Sequence, residues 1–224
     1  MQREYDRSDM IVRNRVIALV FRIAAFALLV TSIQLYWPEY PSFWCAMSCF
    51  DFQVGMSLTI MFGFVIVFNL IDLRFGMRGM AAGPYMPLAL PLMAFSIVSG
   101  LMYFSYSIPT GSAPMGVFPY IFHTLLIILP LLEWILFDEK GTVRRTTGFT
   151  IMIYPLFYYV FGYFRTLIWP DTPVYAGFEY AYPCLDFRTD AIVLWSVVYF
   201  ATLLAVLQLV IFLNDVFCGK YRRL

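Results

Sequence analysis

Four side chains of this sequence have the chemical types that acyl transfer needs: Ser48, Asp51, His123 and Arg165. His123 is the only histidine, and it lies in an apolar stretch long enough to cross a bilayer, where an ionisable group is costly. An imidazole exchanges protons near neutral pH, so His123 can serve as a general base that activates a hydroxyl such as that of Ser48. The alternative is a structural imidazole that hydrogen-bonds a neighbouring helix.

The composition is that of a membrane protein. Of the 224 residues, 62% are hydrophobic and only 13% are charged, which leaves too few polar side chains to cover a soluble globule. The formal net charge is +1 and the basic residues form no continuous stripe, so nucleic-acid binding is not expected. Membrane lipids are the expected surroundings, and the sequence identifies no partner subunit.

Six apolar stretches, each of about 20 residues or more, are long enough to cross the hydrocarbon core as helices. They cover residues 14–37, 43–71, 84–107, 117–138, 147–169 and 190–216. We therefore predict an all-α integral membrane protein, a single bundle of six transmembrane helices formed by residues 1–224. An even number of spans puts both termini on the same side of the membrane.

The basic residues predict the orientation of this bundle. They precede the first span, follow the second and fourth spans and end the chain, whereas the loops on the other side hold only Arg188. The positive-inside rule then makes both termini cytoplasmic. The residues that carry this argument are Arg3, Arg7, Arg13, Arg15, Arg74, Arg78, Lys140, Arg144, Arg145, Lys220, Arg222 and Arg223.

Aromatic residues are concentrated near the outer ends of the spans, as expected of an interfacial belt. They are Tyr36, Trp37, Tyr40, Phe43, Trp44, Tyr103, Phe104, Tyr106 and Trp169.

The reactive side chains are predicted to lie at similar depths. A rise of about 1.5 Å per residue puts Ser48, His123 and Arg165 roughly 6–9 Å inside the outer boundary, with Asp51 about one turn deeper than Ser48. Ser48 and Asp51 are three residues apart and are expected on one helix face. Arg165 either binds a ligand carboxylate or stabilises an oxyanion, and Asp51 either orients the imidazole or pairs with Arg165. Structural alternatives are a small helix-contact role for Ser48 and an intramembrane ion pair for Asp51 with Arg165.

A second polar set lies near the cytoplasmic side: Arg22, Asn69, Asp72, Glu133, Asn214 and Asp215. Glu133 is ten residues from His123, about 15 Å along the helix, and cannot contact it. We interpret this set as a structural clamp, with Arg22 and Glu133 as a pair.

The four cysteines match no metal-ligand spacing, and neither a metal nor a cofactor is expected. Cys45 and Cys49 are one helical turn apart and are interpreted as small apolar residues of the packing. A disulfide from Cys184 to either of them is the alternative.

Three motifs carry a family resemblance. The segment from His123 to Gly141, then Tyr154-Pro155, then Tyr182-Pro-Cys-Leu-Asp186 resemble the androgen-induced/FAR-type family of six-span membrane proteins and its bacterial relatives. In that family a histidine leads the fourth span, an acidic residue follows ten positions later, and a Tyr-Pro and a Leu-Asp close the last outer loop. The resemblance implies an intramembrane hydrolase that cleaves fatty acid esters of hydroxy fatty acids, with a threonine nucleophile in span 2 and the span 4 histidine.

Carried onto this chain, the resemblance implies Ser48 as nucleophile, in place of threonine, and His123 as base. Cys49, beside Ser48, is a rival nucleophile, and Asp51, Arg165 and Asp186 are the supporting residues. The expected function is a lipid ester hydrolase with no metal or cofactor. Two alternatives remain: a small-molecule or proton-coupled transporter that uses His123, Asp51 and Arg165, and a non-catalytic subunit of a membrane complex.

Overall fold

The computed structural model describes residues 14–74, 86–138, 140–141, 143–144, 146–169, 173–180, 182 and 185–217, without the side chains of Asp72 and Met86. In these ranges helices are the only extended secondary structure, and six helical stretches are long and apolar enough to cross a membrane. The prediction of an all-α chain with six helices of membrane-spanning length is confirmed. Several residues used above lie outside the described ranges: Arg3, Arg7, Arg13, Arg78, Arg145, Cys184, Lys220, Arg222 and Arg223.

The described helices differ from the predicted spans mainly by short interruptions. They are α1 Arg15–Tyr36, α2 Phe43–Met47, α3 Phe50–Arg74, α4 Met86–Met102, α5 Ile108–Thr110, α6 Val117–Phe137, α7 Thr147–Ile151, α8 Ile153–Ile168 and α9 Ile192–Phe217. A 3₁₀ turn, Trp37–Glu39, extends α1, and a π-helical turn, Tyr103–Ser107, joins α4 to α5.

The second stretch, predicted as one span over 43–71, is interrupted at Ser48 and Cys49. The Ser48 hydroxyl donates to the Trp44 carbonyl oxygen at 2.8 Å, and the Ser48 amide donates to both the Trp44 and Cys45 carbonyls. Such back-bonding by serine bends helices. The membrane-spanning part of this stretch is therefore Phe50–Ile71, and Ser48 lies in the turn before it.

α3 separates two hydrophobic clusters. Phe50 and Val54 pack in a cluster with residues of α4, α8 and α9, whereas Phe52 and Leu58 pack in a second cluster with residues of α1 and α6. Asp51 lies between the two phenylalanines in the sequence and is buried. The first turn of α3 is consequently enclosed on both sides, and a charged group there needs a partner within the protein.

At the opposite end of the bundle from Ser48, Arg22 and Glu133 form a buried ion pair. Arg22 Nε donates to Glu133 Oε1 at 2.8 Å, and both side chains are almost fully enclosed. The predicted pair is confirmed. Trp134 Nε1 donates to Asn214 Oδ1 at 3.1 Å, so the beginning of α1 and the end of α9 lie at this same end, as an even number of spans requires.

We expect the Arg22–Glu133 pair to be far more sensitive to single than to paired substitution. Arg22→Met or Glu133→Leu alone leaves a buried charge without its counter-ion and should lower the free energy of unfolding by roughly 3–5 kcal/mol. The double variant removes both charges and should recover most of that loss. Equilibrium unfolding in mixed micelles of increasing SDS content measures the difference.

The control for this experiment is Arg188→Gln, because Arg188 forms its ion pairs at the surface and should contribute about 1 kcal/mol or less. A double variant as unstable as the sum of the two single variants would contradict the prediction.

Candidate active site

The structure brings the four predicted site residues together as two separate pairs. Arg165 Nε donates to Ser48 Oγ at 3.1 Å, and His123 Nε2 lies 2.6 Å from Asp51 Oδ2. The hydrogen bonds of the Ser48 hydroxyl go to Trp44 and Arg165, and none joins it to His123. The turn at Ser48 and Cys49 accounts for this separation, because it directs Ser48 towards α8 and Asp51 towards α6.

Arg165 lies in the last turn of α8 and is buried. Besides Ser48, its guanidinium contacts the connection between α8 and α9, where Nη1 donates to the Glu179 carbonyl oxygen at 2.8 Å. A planar guanidinium with several fixed donors suits a site that stabilises negative charge. Of the two roles considered for Asp51, orienting the imidazole agrees with the observed contact, and pairing with Arg165 is not observed.

Side chains outside the predicted set hold the interrupted helix in place. Gln53 Nε2 donates to the Met47 carbonyl oxygen at 2.8 Å, and the Tyr158 hydroxyl donates to the Ser48 carbonyl oxygen at 3.1 Å. The break in the helix leaves these two carbonyl oxygens without backbone partners. Buried backbone groups without partners are costly, so side chains satisfy them here. Because Tyr158 belongs to α8, the same hydrogen bond helps to position Arg165 beside Ser48.

The hydrogen bonds of His123 define where its protons lie. Nδ1 is 2.8 Å from the Pro119 carbonyl oxygen, which can only accept, so Nδ1 carries a proton. Nε2 faces the Asp51 carboxyl group across 2.6 Å, with one proton between them. The imidazole and the carboxyl group therefore form a unit without net charge, whichever of the two atoms holds the shared proton.

Three tyrosines that were predicted to form part of the interfacial belt are buried around this unit instead. The Tyr103 ring stacks on the imidazole with centroids 3.5 Å apart and planes at 2°. Tyr36 donates to Asp51 Oδ2 at 3.3 Å, and the hydroxyls of Tyr36 and Tyr40 are 2.6 Å apart. The expectation for these tyrosines is wrong because a buried carboxylate requires hydrogen-bond donors, and the π-helical turn directs Tyr103 inward. The sequence pattern of an aromatic belt does not by itself distinguish tyrosines that are buried in the protein from tyrosines that lie at the membrane interface.

The two cysteines near the site are free thiols. Cys45 and Cys49 are both buried, and Cys184, the third member of the alternative disulfide, lies outside the described residues. Burial raises the pKa of the Cys49 thiol well above its ordinary value, and the Asp51 carboxylate raises it further. A thiol in this state is not ionised at neutral pH and is a poor nucleophile, which weakens the case for Cys49 as the rival of Ser48.

A large groove opens beside Ser48. It has a volume of about 680 Å³, and its walls include Ser48, Arg165, Trp44, Phe161 and Trp169. Trp44 is 77% exposed and Trp169 is 54% exposed, so the rim is apolar at the end of the membrane-spanning helices. We name this cavity the groove; its dimensions and lining are those of a site for an apolar chain with a polar group at Ser48.

A second, smaller cavity also reaches Ser48 and Arg165. It has a volume of about 20 Å³, room for about one water-sized group, and its lining includes four tyrosines, Tyr158, Tyr159, Tyr180 and Tyr182. We name it the tyrosine pocket. Ser48 and Arg165 therefore lie in the wall that the groove and the tyrosine pocket share.

Asp186, the remaining predicted residue, is not part of either cavity wall. Its carboxylate accepts hydrogen bonds from Arg188 Nε at 3.0 Å and Nη2 at 2.7 Å, and these bonds hold the pKa of the Asp186 carboxyl below its ordinary value. The structure thus assigns Asp186 to the turn before α9. Among the described residues, no cluster of three or more His, Cys, Asp and Glu side chains is suited to a metal ion.

The state of His123 can be tested directly because the chain has one histidine. Protein labelled with ¹⁵N-histidine should give a single imidazole signal set with a proton on Nδ1. In Asp51→Asn the amide can donate to Nε2, so we expect Nδ1 to stay protonated and Nε2 to lose its shared proton. Ser57→Ala, on the same helix but bonded only to the Gln53 carbonyl, is the control. A wild-type imidazole with a bare Nδ1 would refute this geometry.

No protein-family model, no curated protein and no solved structure matches this chain. The functional assignment therefore depends on the geometry described above and on the motifs of the sequence.

Proposed function

We propose that this chain is an intramembrane hydrolase that cleaves carboxylic esters of acyl lipids, with fatty acid esters of hydroxy fatty acids as the substrate class. The observation that carries the proposal is the position of Ser48: its hydroxyl lies in the wall of an apolar groove and accepts a hydrogen bond from the Arg165 guanidinium. A cation that donates to the attacking oxygen stabilises the negative charge that develops there.

In the proposed reaction the Ser48 oxygen attacks the ester carbonyl and its proton passes to His123. The tetrahedral intermediate expels the alcohol, which takes that proton, and water then hydrolyses the acyl-enzyme by the same steps. His123 Nε2 faces Asp51, and the Ser48 hydroxyl is directed to Arg165 and Trp44. The proposed reaction therefore requires Ser48 or the imidazole to move when the ester binds, so that Nε2 exchanges Asp51 for the Ser48 hydroxyl.

The apolar rim supports entry of the substrate from the membrane. Trp44, Phe161 and Trp169 present exposed apolar surface where the groove opens, and apolar surface of this kind suits lipid contact. A lipid ester can then slide its acyl chain into the groove until its carbonyl reaches Ser48, without crossing the aqueous phase.

The central test replaces the nucleophile. Ser48→Ala should lower the hydrolysis of a long-chain ester of a hydroxy fatty acid by a factor on the order of 10³ or more, measured on purified protein in lipid nanodiscs. Ser48→Thr keeps a hydroxyl and should retain activity. A fluorophosphonate probe should label the wild type and Ser48→Thr but not Ser48→Ala.

Two matched variants define the controls for this test. Ser57→Ala removes a hydroxyl from the same helix outside the site, and Cys49→Ala removes the rival nucleophile; both should keep activity within about threefold of the wild type. Full labelling of Ser48→Ala by the fluorophosphonate probe would rule out Ser48 as the nucleophile. Loss of labelling in Cys49→Ala would do the same.

The proposed orientation has both termini in the cytoplasm, which places the groove in the opposite leaflet. Its support is the distribution of basic residues in the sequence. A glycosylation cassette inserted at Gly111 should be modified in microsomes, whereas the same cassette inserted at Gly141 should not. The reverse pattern would invert the orientation and leave the proposed chemistry unaffected.

A further inference from the structure

The tyrosine pocket contains a hydroxyl group without a structural function. Three of its four tyrosines form hydrogen bonds within the protein: Tyr158 with the Ser48 carbonyl, Tyr159 with Ser196 Oγ and Tyr180 with Thr166 Oγ1. The hydroxyl of Tyr182 has no hydrogen-bond partner among the described residues, although its side chain is only 6% exposed. Its oxygen is not one of the fully enclosed polar atoms without a partner, so it remains accessible from the pocket that the side chain lines. A donor that is accessible and unused within the described residues is available to a bound ligand.

The surroundings of Tyr182 keep this hydroxyl a donor. Burial raises the pKa of Tyr182 well above its ordinary value, so the group stays protonated at any pH at which the protein works. Tyr182, Ser48 and Arg165 all line the same small cavity, which has a volume of about 20 Å³. A carbonyl oxygen that points into this cavity while Ser48 attacks from the shared wall would face the side of the cavity to which Tyr182 contributes.

We infer that Tyr182 is a catalytic residue that donates a hydrogen bond to the oxyanion formed when Ser48 attacks the ester. This inference rests on the proposed hydrolysis at Ser48. In that step the carbonyl double bond opens as the Ser48 oxygen bonds to carbon, and the electron pair moves to the former carbonyl oxygen. The neutral Tyr182 hydroxyl stabilises that charge without releasing its proton, and the carbonyl re-forms when the alcohol leaves.

The two cavities then have different roles. The larger, apolar groove takes the chains of the ester, while the tyrosine pocket takes only the carbonyl oxygen that becomes the oxyanion. Gly162 lines this pocket, and a Cβ at that position would meet no atom within 4 Å. The glycine therefore leaves room where the reacting group must fit, and a side chain there can fill the pocket without displacing a neighbour.

The decisive variant is Tyr182→Phe, which removes an oxygen that forms no hydrogen bond with any described residue and should fold as the wild type does. We expect kcat for the hydroxy fatty acid ester to fall by a factor on the order of 10²–10³, because a preorganised oxyanion donor is lost, with KM within about threefold of the wild-type value. A trifluoromethyl ketone with the same acyl chain should also bind less tightly, since its adduct carries the oxyanion.

The matched control is Tyr163→Phe, a tyrosine of α8 that lines neither cavity and is 39% exposed; loss of its hydroxyl should leave kcat within about threefold. Gly162→Phe should lower kcat/KM at least tenfold, because its side chain would occupy the tyrosine pocket. If kcat of Tyr182→Phe stays within threefold of the wild type, or Gly162→Phe is fully active, the inference is overturned.

These outcomes are distinguishable from failure of the proposed function. If Ser48→Ala abolishes hydrolysis and Tyr182→Phe does not reduce it, Ser48 is the nucleophile and the oxyanion donor lies elsewhere. If the wild type neither hydrolyses the ester nor binds the ketone in a Ser48-dependent manner, the proposed function fails, and the role of Tyr182 fails with it.

Discussion

The break between α2 and α3 is the feature on which the geometry of the site depends. A helix interrupted inside a bundle leaves carbonyl groups that neither water nor lipid can satisfy, and here the Met47 and Ser48 carbonyls accept from Gln53 and Tyr158. Tyr154 in turn donates to Gln53 Oε1 at 3.2 Å. Both tyrosines belong to α8, so the requirement for backbone hydrogen bonds is also what holds α8 against the turn and places Arg165 beside Ser48.

The same break separates two kinds of electrostatic environment. On the α8 side, Ser48 and Arg165 line cavities that a ligand can enter. On the α6 side, Asp51 and His123 are enclosed by aromatic rings, with Tyr103 stacked on the imidazole. Arg22 and Glu133 at the other end of the bundle are likewise buried as a pair. Each enclosed pair has no net charge, which is the condition for keeping ionisable groups in a low-dielectric interior.

Much of the architecture could be predicted from the sequence because span length and apolar composition are physical requirements of the bilayer. The Arg22–Glu133 pair was predictable for a related reason: two opposite charges in apolar helices have few possible partners other than each other. The interruption at Ser48 was not predictable, since Phe43 to Ile71 is predominantly apolar and contains no proline. Helical spacing therefore put Ser48 and Asp51 on one face, whereas the turn directs them to different partners.

The burial of Tyr36, Tyr40 and Tyr103 shows a second limit of the sequence. A tyrosine near a helix end satisfies both the interfacial pattern and the need of a buried carboxylate for a donor, and only the packing distinguishes the two. Tyr182 belonged to a motif of the family resemblance, yet its type and position alone did not single it out. The signal that does so is the accounting of hydroxyl partners around the pocket, which requires side-chain positions.

The charges around Ser48 suit a reaction that creates an anion better than they suit binding of an anionic ligand in the ground state. The Asp51–His123 unit is neutral as a whole, because the imidazole and the carboxyl group share one proton. The Arg165 guanidinium is a cation, and it directs its Nε–H at the oxygen of Ser48. In the proposed reaction an ester is neutral until the attack and becomes negative at the tetrahedral stage, so this arrangement would favour the transition state over the bound substrate. Transfer of the Ser48 proton to His123 would make the Asp51–His123 unit positive while the oxyanion becomes negative, so the net charge of the site would stay the same and the two new charges would attract each other.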